Sequence, residues 1–82
     1  MSQDDILNRV RQTIAKQFSV APDPITRETV AMDVPGWDSV AHVHLMLAIE
    51  REFGVRIPDD RVFGLDNVGD LVDALADQLA RR

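Results

Sequence analysis

Cysteine is absent from the 82 residues, so neither a disulfide nor a thiolate metal site helps to hold the chain together. Long apolar runs are absent too: the longest, Val43 to Ile49 and broken by His44, falls far short of the roughly 20 residues of a bilayer-spanning helix. No basic, apolar leader opens the chain. Ser2-Gln3-Asp4-Asp5 begins a polar helix instead, which predicts a cytoplasmic protein without membrane insertion. There is no glycine-rich phosphate loop and no strand signal. Basic residues are scarce in the second half. Nine acids and three arginines lie between Asp38 and Ala80, a net −6 within an overall −5, which leaves +1 for the remainder. An acidic half-surface repels phosphate backbones and speeds encounter with basic protein patches, so nucleic acid is not an expected partner. A solvated face that only confers solubility is the plainer reading of the same charge.

What is there amounts to one domain, residues 1–82, with a thin core, because a chain of this length buries only about 60–65% of its unfolded surface. Ile6, Leu7, Val10, Ile14 and Phe18 recur at three- and four-residue intervals, which predicts a helix over Gln3–Phe18 with Ser2 and Asp5 as a capping box. Residues 19–38 contain Pro22, Pro24, Pro35 and Gly36 and keep no period, so a long loop is expected. Ile25, Val30, Met32 and Val34 predict that it lies across the bundle and drops these side chains into its edge.

Asp38 is placed to cap a second helix, Ser39–Phe53, which Gly54 ends in a left-handed conformation. On a helical wheel Leu45, Met46, Ile49 and Phe53 make a sufficient core face. Val40, Val43 and Leu47 extend the apolar arc to about 220°, where one-sided packing needs little over 100°. Either the long loop covers the surplus or Val40 and Leu47 form an exposed strip for partner proteins. A short third helix is expected at Asp59–Phe63, packed by Val62 and Phe63. A fourth, capped by Asn67, carries Val68, Leu71, Val72, Leu75 and Leu79 on one face, with Arg81 and Arg82 complementing its C-terminal dipole. The fold class is all-α: a small bundle of three longer helices and one short one, with a long first connection.

Ser39 sits in the first turn of the second helix, at a surface corner near the positive end of the dipole. Free N–H groups there favour phosphate, so this hydroxyl is placed to carry a phosphodiester. Catalysis is a weaker reading. His42 is about 60° from Ser39 on the wheel, but no third group orients the imidazole and no glycine-rich turn frames an oxyanion hole. His42 points to the core edge, where a hydrogen-bonded packing role is commoner. His42 and His44 diverge too far on a helix to share a metal. The stretch Asp59–Asp70 has Gly64 at the sixth place of a calcium loop, yet Arg61 and Phe63 occupy ligand positions. No metal site is expected and no enzyme.

Asp38-Ser39-Val40, then Leu45, Ile49, Glu50, Phe53-Gly54-Val55-Arg56-Ile57-Pro58-Asp59 and Asn67-Val68-Gly69-Asp70-Leu71, resemble the acyl carrier protein family over nearly the whole chain. The family motif is Asp-Ser-Leu, followed by an amphipathic helix, Phe-Gly and Ile-Pro. The resemblance implies an acyl-carrier-like bundle, monomeric, with 4′-phosphopantetheine attached to Ser39 by a phosphopantetheinyl transferase and Asp38 flanking the attachment. The arm's thiol would hold acyl intermediates of fatty-acid- or polyketide-type synthesis as thioesters. Val40, Leu47, Glu50, Asp59 and Asp60 are the implied contacts for loading, synthase and acyltransferase enzymes, with Glu52 a further candidate. The family's usual acids two and five places after the serine are Ala41 and His44 here, which implies a specialised free-standing carrier with its own partner set. An aminoacyl or peptidyl carrier, and a helical interaction module whose serine is never modified, remain open alternatives.

Overall fold

Ser2 starts the first helix as expected: its Oγ accepts a hydrogen bond from the Asp5 N–H (3.1 Å), one of the donors a helix start leaves free. In the computed structural model, which describes residues 2–81, α1 spans Gln3–Phe18, α2 Ser39–Phe53, α3 Asp59–Val62 and α4 Val68–Arg81, with no strand among the described residues. The apolar stripe of α1, Ile6, Val10 and Ile14, is buried against both α2 and α4. Leu7 and Phe18 flank it, half-buried. α1 ends at Ser19, whose φ of 56° is left-handed although the residue is not glycine.

The long connection is ordered by its backbone. Ile25 and Val34 are buried, and Val30 is half-buried. Met32 departs from expectation: it is 95% exposed, at the crest of a 3₁₀ turn, Ala31–Asp33, that no sequence period announces. The turn closes when the Asp33 carboxylate accepts from the Val30 N–H (3.1 Å), which directs the intervening side chain outward. Further back, the Thr29 and Arg27 carbonyls accept from the first N–H groups of α4, Val68 (2.9 Å) and Gly69 (2.8 Å). Gly69 is needed for that approach, because a Cβ there would stand 3.0 Å from the Arg27 carbonyl oxygen and 3.2 Å from its Cβ. Arg27 also reaches Asp73 of α4 at 3.0 Å.

Leu45, Met46, Ile49 and Phe53 of α2 meet Val68, Leu71, Val72 and Leu75 of α4 in the core cluster. Burial of each large side chain there is worth roughly 1.5–3 kcal/mol. Gly54 ends α2 with φ 66°, its N–H returning to the Glu50 carbonyl. Asn67 caps α4, its side-chain oxygen accepting from the Asp70 N–H at 2.8 Å. Arg81 lies near Asp77 in the last turn, and Arg82 lies outside the described residues. α3 is one residue shorter than expected, and Phe63 does not pack on the core: it leaves the helix and stays 68% exposed. Val62 alone supplies the expected packing, half-buried against the cluster.

Candidate functional site

The corner before α2 is a turn with a glycine at its bend. Gly36 takes φ 88°, the left-handed region that a side chain disfavours. The Trp37 N–H returns to the Val34 carbonyl (3.2 Å) and the Asp38 N–H to that of Gly36 (3.1 Å). Asp38 then caps α2, its Oδ1 accepting from the Ala41 N–H at 2.8 Å, while its carbonyl accepts from His42. The cap leaves the Ser39 and Val40 N–H groups at the helix start directed outward. Ser39 is the first residue of α2 and is exposed, as the sequence predicts.

His42, one turn in, has both ring nitrogens engaged. The Trp37 indole N–H, a donor only, donates to Nδ1 at 3.0 Å. Nδ1 therefore accepts, Nε2 carries the proton, and Nε2–H donates to the Val62 carbonyl at 2.6 Å. The imidazole has two aromatic neighbours, with centroids 6.0 Å from Trp37 and 5.6 Å from Phe63, and Phe18 in turn stacks on Trp37 at 5.5 Å. A base for Ser39 would need a free nitrogen facing the hydroxyl. His42 offers none in this arrangement; it packs.

Trp37, Asp38, Ser39, His42, Phe63 and Leu65 are among the walls of an open cleft of about 310 Å³ beside the hydroxyl. Its lining combines apolar rings and aliphatic chains with the polar side chains of Asp38, Asp66 and Asn67. The sequence alone gave Trp37 no role; its only signal was its position immediately before the Asp38-Ser39 pair.

The surplus apolar arc of α2 is exposed: Val40 at 67%, Leu47 at 54% and Val43 at 41%. The long loop does not cover it. Leu47 and Val43 also line a groove of about 230 Å³ between α2 and α3, with Glu50, Arg56 and Asp59 around it. Asp59 and Asp60 stand exposed at the start of α3. Glu50 is half-buried, and its Oε2 accepts from the Ile57 N–H at 2.7 Å, so it fastens the turn after α2 as well as facing the groove. Glu52 is turned toward α1, 3.3 Å from Arg9.

Residues 8–75 match the family model described as the phosphopantetheine attachment site. The chain belongs to the acyl carrier protein family. It is 36% identical over 80 residues to an acyl carrier protein of Thermosynechococcus vestitus, covering 98% of this chain and 99% of that one. It is 40% identical over 72 residues to one from Lactobacillus acidophilus, covering 88% and 90%. The solution structure of a holo acyl carrier protein from Geobacter metallireducens superposes with a TM-score of 0.82 at 32% identity, covering 92% of this chain and 86% of that one. A thermally stable acyl carrier protein from Enterococcus faecalis gives 0.75 at 27% identity, covering 95% and 99%. The carrier is thus not a catalyst, and its cofactor is a covalent 4′-phosphopantetheine. The corner fits that group: an exposed hydroxyl, two outward N–H groups and room beside them. No helix among the described residues is long and apolar enough to cross a membrane.

Proposed function

We infer that Ser39 Oγ is the attachment point of the phosphopantetheine arm and that the arm's thiol holds acyl intermediates of fatty-acid- or polyketide-type synthesis. The observation that carries this reading is the exposed hydroxyl at the first position of α2, inside the matched segment. In the attachment step a separate transferase removes the proton from Oγ. The oxygen bonds to the phosphorus bearing pantetheine in coenzyme A, and the pyrophosphate P–O bond breaks to release the adenosine bisphosphate. Asp38 flanks the site and holds the helix start by its cap; its charge also helps to recruit a basic, metal-using transferase. The arm then delivers its cargo to each docked enzyme at high effective concentration.

Docking uses Val40 and Leu47 as the apolar centre, with Asp59, Asp60 and Glu50 as the acidic rim. Exposure of the strip supports the first part, and the charge of the second half supports the second. Co-expression with a phosphopantetheinyl transferase tests the attachment. Intact mass rises by one phosphopantetheinyl group in the native chain and stays unchanged in Ser39→Ala. A native chain that gains no mass overturns the reading.

A further inference from the structure

His42 is a wall of the cleft beside Ser39, on the side where α2 leads into the core. It is half-buried in the first turn of α2, and behind it on the same face lie Leu45, Met46 and Ile49, all buried. The imidazole is held from two sides. Trp37 donates to it from the first loop, and it donates to the Val62 carbonyl of α3, so one ring ties together the three segments that surround the entrance. Trp37 and Phe63 rings flank it. Moving the ring aside breaks two hydrogen bonds at a half-buried site, each of which stabilises modestly when made and costs more when left unpaired.

We propose that His42 is a specificity-determining residue that shuts the bundle interior to cargo, so that acyl groups on the arm stay outside the core whatever their length. The proposal rests on attachment at Ser39 and deepens that reading. It names the cargo this carrier handles without sheltering: short or polar acyl groups, for which the cleft of about 310 Å³ with Asp38, Asp66 and Asn67 in its wall is sufficient. Longer apolar tails would be left in water or handed to the partner enzyme. Leu71 lines both the cleft and the core, which marks where a passage would open if the imidazole were removed.

The measurement is the rate at which hydroxylamine cleaves the thioester on carriers loaded with acetyl, hexanoyl or decanoyl groups. Its nitrogen attacks the carbonyl carbon, the C–S bond breaks, and the arm's sulfur leaves as the thiol while a hydroxamate forms. Intact mass confirms loading before each run, so failure to load counts against attachment at Ser39 and only loaded protein bears on the gate. In the native carrier the three rates stay within about twofold, because no tail is buried. In His42→Ala the decanoyl thioester becomes at least about tenfold slower than the acetyl one, the factor expected from burying two methylenes. A purely structural defect would change all three rates together. Should His42→Ala fail to fold, Trp37→Phe keeps the ring stack but removes one of the two bonds, and a length dependence appearing there supports the gate. Two results overturn it: tenfold protection of decanoyl in the native carrier, or rates independent of length in whichever of the two variants folds.

Discussion

The two long connections of this bundle are held in different ways. Residues 19–38 are docked backbone to backbone, with the Arg27 and Thr29 carbonyls receiving the first N–H groups of α4 and with Ile25 and Val34 in the core. Residues 54–67 also put Val55 and Ile57 in the core, but beyond the end of α2 their backbone is held to that helix by two of its side chains. Glu50 receives the Ile57 N–H, and His42 reaches the Val62 carbonyl. Toward α4, the Asp70 carboxylate accepts from the Asp66 N–H at 2.9 Å, and Arg61 to Asp77 at 3.2 Å is a surface pair that adds little. The first connection therefore fixes where α2 begins, and with it Ser39. The second depends on α2 for its own position. A carrier needs the attachment point fixed but a neighbouring segment that can respond to partners, and local opening free energies differ between such segments.

A loop docked in this way must contribute to stability. Ile25→Ala removes a buried side chain supplied by that loop and is expected to cost about 2–5 kcal/mol, as for a helix core residue. Denaturant unfolding measures it; a cost below about 1 kcal/mol would mean that the loop is merely draped. Gly69→Ala comes next. The new methyl meets the Arg27 carbonyl, which is backbone and must shift, so the expected loss is about 1–3 kcal/mol. Amide exchange at Val68 and Gly69 should speed up together in that variant, since both bond to the same loop.

Glu50→Ala sharpens the second half of the contrast. It leaves the Ile57 N–H without its acceptor, at an expected cost of about 1–2 kcal/mol, because water replaces part of the lost bond at a half-buried site. Exchange at Ile57 should rise while that at Val68 stays as it was. If both rise equally, the two connections open as one unit and the contrast is wrong. The same bond means that charge reversal at Glu50 disturbs the fold as well as docking, so Asp59 and Asp60 give the cleaner test of partner charge.

Much of this was legible in the chain before the structure, and the exceptions have a common cause. The bounds of α1 and α2 follow from the sequence because each stripe of apolar residues ends where a cap stands: Ser2, Asp38 and Gly54 all cap as expected. Ser39 was legible for the same reason, since capping by Asp38 places the next residue at a surface corner. The 3₁₀ turn, the exposure of Met32 and that of Phe63 were not. In a loop no period links a residue's type to its direction, and which side chains turn inward is decided by tertiary docking. His42 falls between. The wheel put it at the core edge, but its partners, Trp37 five residues before and Val62 twenty after, are set by how two connections close over α2.

The smallest effect on stability is expected where the effect on function is large. Leu47→Asp replaces a side chain that is 54% exposed at the edge of the groove between α2 and α3, so unfolding free energy should change by no more than about 0.5 kcal/mol. Transfer from the loaded carrier to a partner enzyme should nevertheless fall about fivefold or more, since an apolar contact at the centre of a docking patch is commonly worth over 1 kcal/mol. Turnover at saturating carrier should recover, because the change weakens association and leaves the arm untouched. A variant of native stability and native transfer rate would show that the exposed strip is not where partners dock, and the surplus apolar arc of α2 would then lack a purpose in this fold.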